Sequence, residues 1–320
     1  ATLELARAGR SVIVLEKRLF PRHKVCGGCL SGWAVTQLRE LFGQRCELPG
    51  TKGSQIAFAI GGRVIHCPSV GQTRIVLRAE LDSMLADAAR RAGAEFHFGQ
   101  QAGITPCNGQ FKVTVSGQSI DADAILLASG LSGLATKLGF ESKPFGPPMI
   151  GRQWFVSAAT VGIAPGAVEM HWLRGGYIGL ASPNETDCIV ALAMRTTGLS
   201  GADPLSFLKG MNPDAKVWNR LATTKDDGVR GTAGFPFAPG RLTMANIMLI
   251  GDAAGYLEPF SGTGIGMALY SGICAARAII TGSAVARDYT RAMRPHRQAM
   301  WRTRILSAAL NSDMSGWLLQ

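Results

Sequence analysis

Two periods of apolar positions alternate along this chain and predict its elements. Leu3, Leu5 and Ala6 mark a short helix that Gly9 stops. SVIVLE (11–16) follows at once as a buried strand closed by Glu16. SGWAVTQLRELFG (31–43) reads as a second helix, with Ser31 placed to cap it. Residues 54–67 form two β-rich runs around Gly61-Gly62, a hairpin pattern. From Thr73 the pattern gives a short strand, a helix of about four turns ended by Gly93, and a further strand start. FKVTVSG (111–117) alternates as an antiparallel strand does, whereas ADAILLASG (122–130) is apolar throughout and suits the centre of a parallel sheet.

Between Met149 and Asp227 the character changes. RQWFVSAATV, VEMHWL, GYIGLAS and DCIVALAMR are successive strand-like runs with short polar connections. They predict an antiparallel sheet, with Trp154, Phe155, Trp172 and Tyr177 available to line an apolar cavity or to fill an ordinary core. A buried strand, a glycine-bounded loop and a long small-residue helix follow over 246–280, then a basic helical tail broken near Pro295. The expected fold class is α/β. A Rossmann-like domain (1–50, 74–148 and 228–285) carries an inserted antiparallel-sheet substrate domain (51–73 and 149–227) and a C-terminal helical segment (286–320).

Composition narrows the class. The 320 residues are 47% hydrophobic and 17% charged with 40 glycines, a globular chain with many tight turns. The net charge of +11 suits anionic partners such as cofactor phosphates or lipid head groups. No apolar run reaches the ~18 residues of a spanning segment. The start is neither a signal peptide nor a Met, and seven scattered cysteines read as mostly reduced thiols, so a cytoplasmic setting is expected.

Chemistry is suggested at three places. A helix, a tight turn and a strand ending in Glu16 form the second half of a βαβ unit, whose acid takes ribose hydroxyls when the unit binds a dinucleotide. The first half, with its glycine fingerprint, is expected ahead of Ala1. The second place is Gly251-Asp252-Ala253-Ala254-Gly255, followed by Pro259, Gly262, Gly264 and Gly266. A carboxylate at a strand end can accept hydrogen bonds from a polyol. Glycines let backbone approach a flat ring, and a helix starting near Gly262 turns its positive end toward developing charge. Those needs match a flavin. The third is Cys26-Gly27-Gly28-Cys29, which reads as a redox disulfide, half of a metal site, or a tight loop. No second ligand pair at similar spacing supports a metal, and none is expected.

GDAAGYLEPFSGTGIGMALYSG resembles the second flavin motif of FAD-dependent oxidoreductases with the p-hydroxybenzoate hydroxylase fold. Within that group PRHKVCGGCLSG resembles the Pro-Arg-x-Lys-x-Cys-Gly loop of the geranylgeranyl reductase branch. LRAELDSMLADAARRAGAEF is similar to its Arg-x-x-x-Asp-x-x-Leu helix. The resemblance implies that Glu16, with Lys17 beside it, takes the adenosine ribose, and that Arg22 and Arg78 contact the diphosphate and ribityl parts of FAD. Cys26-Gly27-Gly28 would sit against the isoalloxazine, and Asp252, with Gly251, Pro259, Gly262 and Gly264 around it, would hold the ribityl chain. Bulk at Gly27 is then expected to impair the flavin contact, with Cys29 incidental. NAD(P)H or another reductant would supply electrons.

The implied reaction is reduction of a C=C bond in a hydrophobic, isoprenoid-like small molecule. The alternatives are a monooxygenase acting on an aromatic or polyketide-like substrate through a C4a-hydroperoxide, and a flavin-linked disulfide reductase using Cys26 and Cys29. Ala128-Ser129-Gly130 stands where nicotinamide-driven hydroxylases usually carry Ala-Asp-Gly, which favours the reductase. Nucleic acid is not an expected partner. The arginines of the tail, beside Trp301, Ile305 and Leu306, allow peripheral contact with an anionic membrane.

Overall fold

The computed structural model describes residues 1–300 except 69, 70, 200, 202, 223–228, 257–259, 261 and 283, and omits the side chains of 142–147 and 233–237. Pro259 and the tail residues Trp301, Arg302, Arg304, Ile305 and Leu306 lie outside the described residues.

The N-terminal helix α1 (Thr2–Arg7) buries Leu3, Leu5 and Ala6 as its spacing requires. It leads into β1 (Ile13–Glu16). After a loop, β2 (Cys29–Leu30) runs into α2 (Gly32–Phe42), whose first turn is capped by the Ser31 hydroxyl accepting the Ala34 N–H at 3.4 Å. β3 (Thr51–Lys52), the hairpin of β4 (Gln55–Ile60) and β5 (Arg63–Pro68), and β6 (Arg74–Ile75) come next. Helix α3 (Arg78–Arg91) then delivers β7 (Glu95–Phe98), which pairs parallel with β1 and sets Glu16 opposite Phe98. This parallel pair, reached through α3, is distinct from the βαβ unit expected around α1 and β1.

A three-stranded meander follows, β8 (Gly103–Cys107), β9 (Gln110–Val115) and β10 (Gln118–Ile120). β11 (Ile125–Leu127) precedes the short α4 (Leu134–Lys137). The long β12 (Ser142–Ser157) and α5 (Ala158–Val161) open the second region. It continues through β13 (Ala167–Leu173), β14 (Gly176–Ala181), β15 (Asp187–Arg195), α6 (Pro204–Met211), α7 (Val217–Leu221) and β16 (Arg230–Pro239). β17 (Thr243–Met244) and β18 (Ile247–Leu249) return the chain to the parallel strands. A 3-10 turn at Gly251–Ala254, α8 (Gly264–Thr281) and α9 (Val285–Ala292) complete the order.

Two sequence expectations are corrected. The large sheet, ordered β16-β12-β15-β14-β13-β4-β5, is mixed, because β4 joins β13 in parallel. Alternation within each strand fixes which residues face inward, but not the direction of the neighbour. Among the described residues β11 pairs on one side only, with β18, rather than sitting at a sheet centre. Its apolar run reflects packing on its faces in a core with Leu249, Phe140 and Tyr289. Of the two places open to Trp154, the structure gives it the core: it lies with Val156, Ile178, Val190 and Leu192 beneath α5–α7.

α8 is long and apolar enough to cross a membrane by length and composition. Here it packs against α1, α2, α9 and the 3-10 turn, with Ser271, Gly272, Ile273, Ala275 and Ala276 buried. Beyond α9 the chain turns at Met293, two residues before Pro295, and resumes as helix from Arg294.

Candidate active site

The site lies where the carboxyl ends of the parallel strands meet the loop between β1 and β2. Glu16 closes β1, Ser129 follows β11, and Asp252 follows β18 in the 3-10 turn. Ligands of open α/β sheets bind in such a crevice. Glu16 Oε1 accepts the Arg18 N–H at 2.9 Å, and its other oxygen lies 3.3 Å from Arg22 Nε. Lys17 is exposed beside it. Arg22 also reaches Asp82 at 3.5 Å. Asp82 in turn holds Arg78, one helical turn away at the start of α3, through two bonds of 2.9 Å. Burial of Arg78 works against its charge, but Asp82, and beyond it Cys26 and Asp252, outweigh burial and hold the guanidinium protonated.

Asp252 bonds Lys24 Nζ at 2.7 Å. The turn that carries it is tied to α8, because the Gly251 N–H donates to Ser271 Oγ at 2.8 Å. A charged line thus runs from Glu16 through Arg22, Asp82 and Arg78 toward Asp252 and Lys24, joining residues far apart in sequence. Lys24 and Asp82 stood inside the sequence motifs without an assigned role. Their place in those patterns was the available signal.

The Cys26–Cys29 segment is a tight loop pressed between the large sheet and the start of α8. Gly28 adopts φ +74, and a β-carbon there would meet Ile189 Cδ1 at 2.4 Å and the Val76 carbonyl at 3.0 Å. Its carbonyl accepts the Val76 N–H at 2.8 Å. Gly27 has room within the chain, its nearest neighbour being Ala191 Cβ at 3.8 Å, so for packing inside the protein the sensitive glycine is Gly28. Cys29 is not incidental to packing: its sulfur lies 3.0 Å from where a β-carbon on Gly262 would stand, and Gly262 itself holds φ +62. Gly264 opens α8 near Tyr256.

Burial and then the neighbouring Cys26 push the Cys29 thiol up to about 11, so it is a neutral group at physiological pH. Both cysteines are free thiols. A buried thiol scarcely ionised is a poor exchange nucleophile, which speaks against a disulfide reductase. Among the described residues no His, Cys, Asp and Glu cluster could hold a metal.

Beside this loop the sheet presents an apolar, aromatic-walled patch. Met149, Met170, Tyr177 and Ala193 are buried there, with Phe58, Leu131, Val168, Tyr256 and Phe260 packed on them. Trp172 stands 5.1 Å from Tyr177 and 5.3 Å from Phe260, ring centre to ring centre. Phe155, on the same face of β12 as Met149, meets His23 of the loop at 5.9 Å. Of the four aromatics expected to line a cavity, Trp172 and Tyr177 do face this patch.

The chain is 26% identical over 314 residues to digeranylgeranylglycerophospholipid reductase 2 of Methanothermobacter thermautotrophicus, spanning 91% of this chain and 78% of that protein. It is 26% identical over 298 residues to menaquinone reductase of Mycobacterium tuberculosis, covering 85% and 71%. The chain is an FAD-dependent oxidoreductase, similar in sequence to proteins of the geranylgeranyl reductase-like branch. Solved structures agree on the fold of this flavoprotein. A geranylgeranyl bacteriochlorophyll reductase-like protein of Thermoplasma acidophilum superposes with a TM-score of 0.76 at 19% identity, over 95% of this chain and 81% of that one. The myxobacterial chondrochloren halogenase superposes at 0.79 and 17%, over 96% and 78%. No family model matches the chain.

The crevice fits the cofactor of this flavoprotein on its own geometry. Two buried polar atoms there, Arg22 Nε and Ser129 Oγ, have no hydrogen-bond partner within the chain. The former lies close to Glu16 but out of alignment with it. Donors left waiting beside a carboxylate at a strand end suit a group rich in hydroxyls and phosphate oxygens.

Proposed function

We propose that this flavoprotein reduces C=C bonds of a hydrophobic, isoprenoid-like substrate, using electrons from NAD(P)H or another reductant. The observation that carries the reading is the aromatic patch of Trp172, Tyr177 and Phe260 on the sheet face whose Ala191 lies 3.8 Å from the β-carbon position of Gly27. It gives an apolar chain a place to lie against the flavin face. Glu16 and Lys17 would take the adenosine ribose, and Arg22 and Arg78 the diphosphate and ribityl parts. Cys26, Gly27 and Gly28 would face the ring, and Asp252, with Gly251, Gly262 and Gly264, the ribityl hydroxyls. Bound FAD supplies hydride transfer. The protein's own part is to orient the substrate, to exclude water with apolar walls, and to hold the Asp252 side chain in place beside Lys24.

The printed names of the two relatives supply the first substrates to try, menaquinone and a digeranylgeranyl glycerophospholipid. Anaerobic incubation of the FAD-loaded, reduced enzyme should add two hydrogens to the substrate without oxygen uptake. A product carrying an added oxygen atom, formed only in air, would replace the reading with the monooxygenase, which the halogenase and oxygenase neighbours share as a fold. Asp252→Ala removes a charged acceptor worth about 1.5–3 kcal/mol and should weaken FAD retention in equilibrium dialysis. Unchanged retention would remove Asp252 from the proposed site.

The enzyme would work in the cytoplasm with peripheral contact to an anionic membrane, which would suit a lipid substrate. Arg287, Arg291 and Arg294 support this, since all three are exposed while Tyr289 and Met293 on the same segment are buried.

A further inference from the structure

One line of the sheet register crosses the face that meets the Cys26–Gly28 loop. It runs Phe58, Met170, Gly179, Ala191, Gln153 and Arg230, each the Cα partner of the next. Cα partners on neighbouring strands project to the same side. The line is apolar at one end, where Phe58 and Met170 belong to the aromatic patch. It is small in the middle, where Ala191 lies 3.8 Å from the β-carbon position of Gly27. At Gln153 it becomes polar.

Gln153 is only 3% exposed, and its amide oxygen has no hydrogen-bond partner. The neighbouring side chains of β12 show which way it points. Trp154 and Val156 enter the core under α5–α7, and Arg152 pairs with Asp203 at the N-cap of α6 at 2.5 Å, all on the opposite face. Met149 and Phe155 share the face of Gln153, one in the aromatic patch and the other against His23. The unpartnered oxygen therefore lies on the face that meets the loop, on a residue flanked there by Ala191 and Arg230. A buried acceptor without a donor destabilises a fold, and leucine or methionine would pack there at lower cost.

We propose that Gln153 determines substrate specificity: its amide oxygen accepts a hydrogen bond from a hydroxyl on the polar end of an otherwise apolar substrate, whose body lies along Phe58, Met170 and the Trp172–Phe260 pair. This rests on the isoprenoid reading above and adds to it that the substrate carries a hydrogen-bond donor near the reacting end. A site built around one buried acceptor discriminates strongly against an analogue that lacks the donor.

The test uses the FAD-loaded protein and two probes, geranylgeraniol and its methyl ether, with binding followed by quenching of flavin fluorescence. The wild type should prefer the alcohol by about tenfold, the scale of one buried hydrogen bond. Gln153→Met, with Gln153→Leu as a second variant, should bind both probes equally, keep the wild-type affinity for FAD, and melt at a higher temperature without ligand. Equal binding of the two probes by the wild type, or a preference that survives in both variants, would overturn the proposal and leave the isoprenoid reading standing. Weakened FAD binding in both variants would overturn it in favour of a flavin N–H as the donor. A lower melting temperature in both would make Gln153 a structural residue and overturn it too. Retention of FAD with no binding of either probe would bring down the isoprenoid reading and the proposal together.

Discussion

At the scale of single residues, the loop facing the proposed flavin position depends on two glycines for different reasons. Gly28 combines a positive φ with a backbone carbonyl at 3.0 Å from the missing β-carbon, whereas a β-carbon on Gly27 would meet only Ala191 Cβ at an ordinary 3.8 Å. Gly28→Ala should therefore cost roughly 1–3 kcal/mol in thermal unfolding and release FAD. Gly27→Ala should unfold within ~0.5 kcal/mol of the parent. Equal effects of the two substitutions would show that the loop is not wedged as described. Cys29→Ser places a hydroxyl where sulfur packs over Gly262, so a loss of about 1–3 kcal/mol in stability is expected with flavin reduction unchanged. Stopped-flow reduction of the variant checks this, since a disulfide enzyme would lose turnover. The distinction between Gly27 and Gly28 was not legible in the sequence, where they are identical neighbours. It arises from Ile189, more than a hundred and fifty residues away, pressing on one and not the other.

At the scale of elements, short helices on the far side of the sheet are held by charge as well as by apolar contact. Glu169 of β13 receives both guanidinium nitrogens of Arg220 from α7 and lies 3.2 Å from His171. Arg220 Nε also donates to the Val161 carbonyl at 2.7 Å, joining α5 to the same knot. Burial works to raise the Glu169 pKa, but the bonds and charges of His171 and Arg220 outweigh it and hold the carboxyl at about 2. A carboxyl depressed in the folded state stabilises above its unfolded pKa of about 4.5, and that contribution is lost as pH falls through 2. Glu169→Gln should thus unfold about 2 kcal/mol more easily at pH 7, with the gap to wild type closing between pH 4.5 and 2. Urea titrations at several pH values measure it, and a gap independent of pH would exclude the charge as its origin. The sequence showed Glu169 and His171 only as alternate residues of one strand. Their partner became visible when α7 folded back over the sheet.

At the scale of the whole molecule, the excess of 33 basic over 22 acidic side chains is distributed unevenly in its consequences. Arg22 and Arg78 are committed to Asp82, and Lys24 to Asp252, whereas Arg287, Arg291 and Arg294 point to solvent beside a buried row of Tyr289, Met293, His296 and Met300. That apolar row already packs inside the molecule, with the Tyr289 hydroxyl donating to the Leu249 carbonyl at 2.5 Å. Membrane contact through this segment would then be electrostatic, about 1 kcal/mol for each basic residue near the surface. Co-sedimentation with anionic liposomes should appear at low ionic strength and fade as salt screens it. Binding that persists in high salt would point to apolar insertion elsewhere, and no binding at low salt would leave the helix with a packing role alone.

The sequence by itself determined the local elements of this protein and marked the residues proposed to hold a flavin. Helix caps, hairpin glycines, strand alternation and the motifs around Glu16, Cys26, Arg78 and Asp252 all act over a few residues, and local geometry is what a linear pattern encodes. The tertiary structure decided what those residues face. It set β4 parallel to β13, left β11 with one partner, and sent Trp154 and Trp172 to opposite sides of one sheet. It also brought Lys24 to Asp252 and placed Gln153 beside the loop. These depend on which distant strands pair and in what register, and a register shift of one residue exchanges every inward side chain for its outward neighbour.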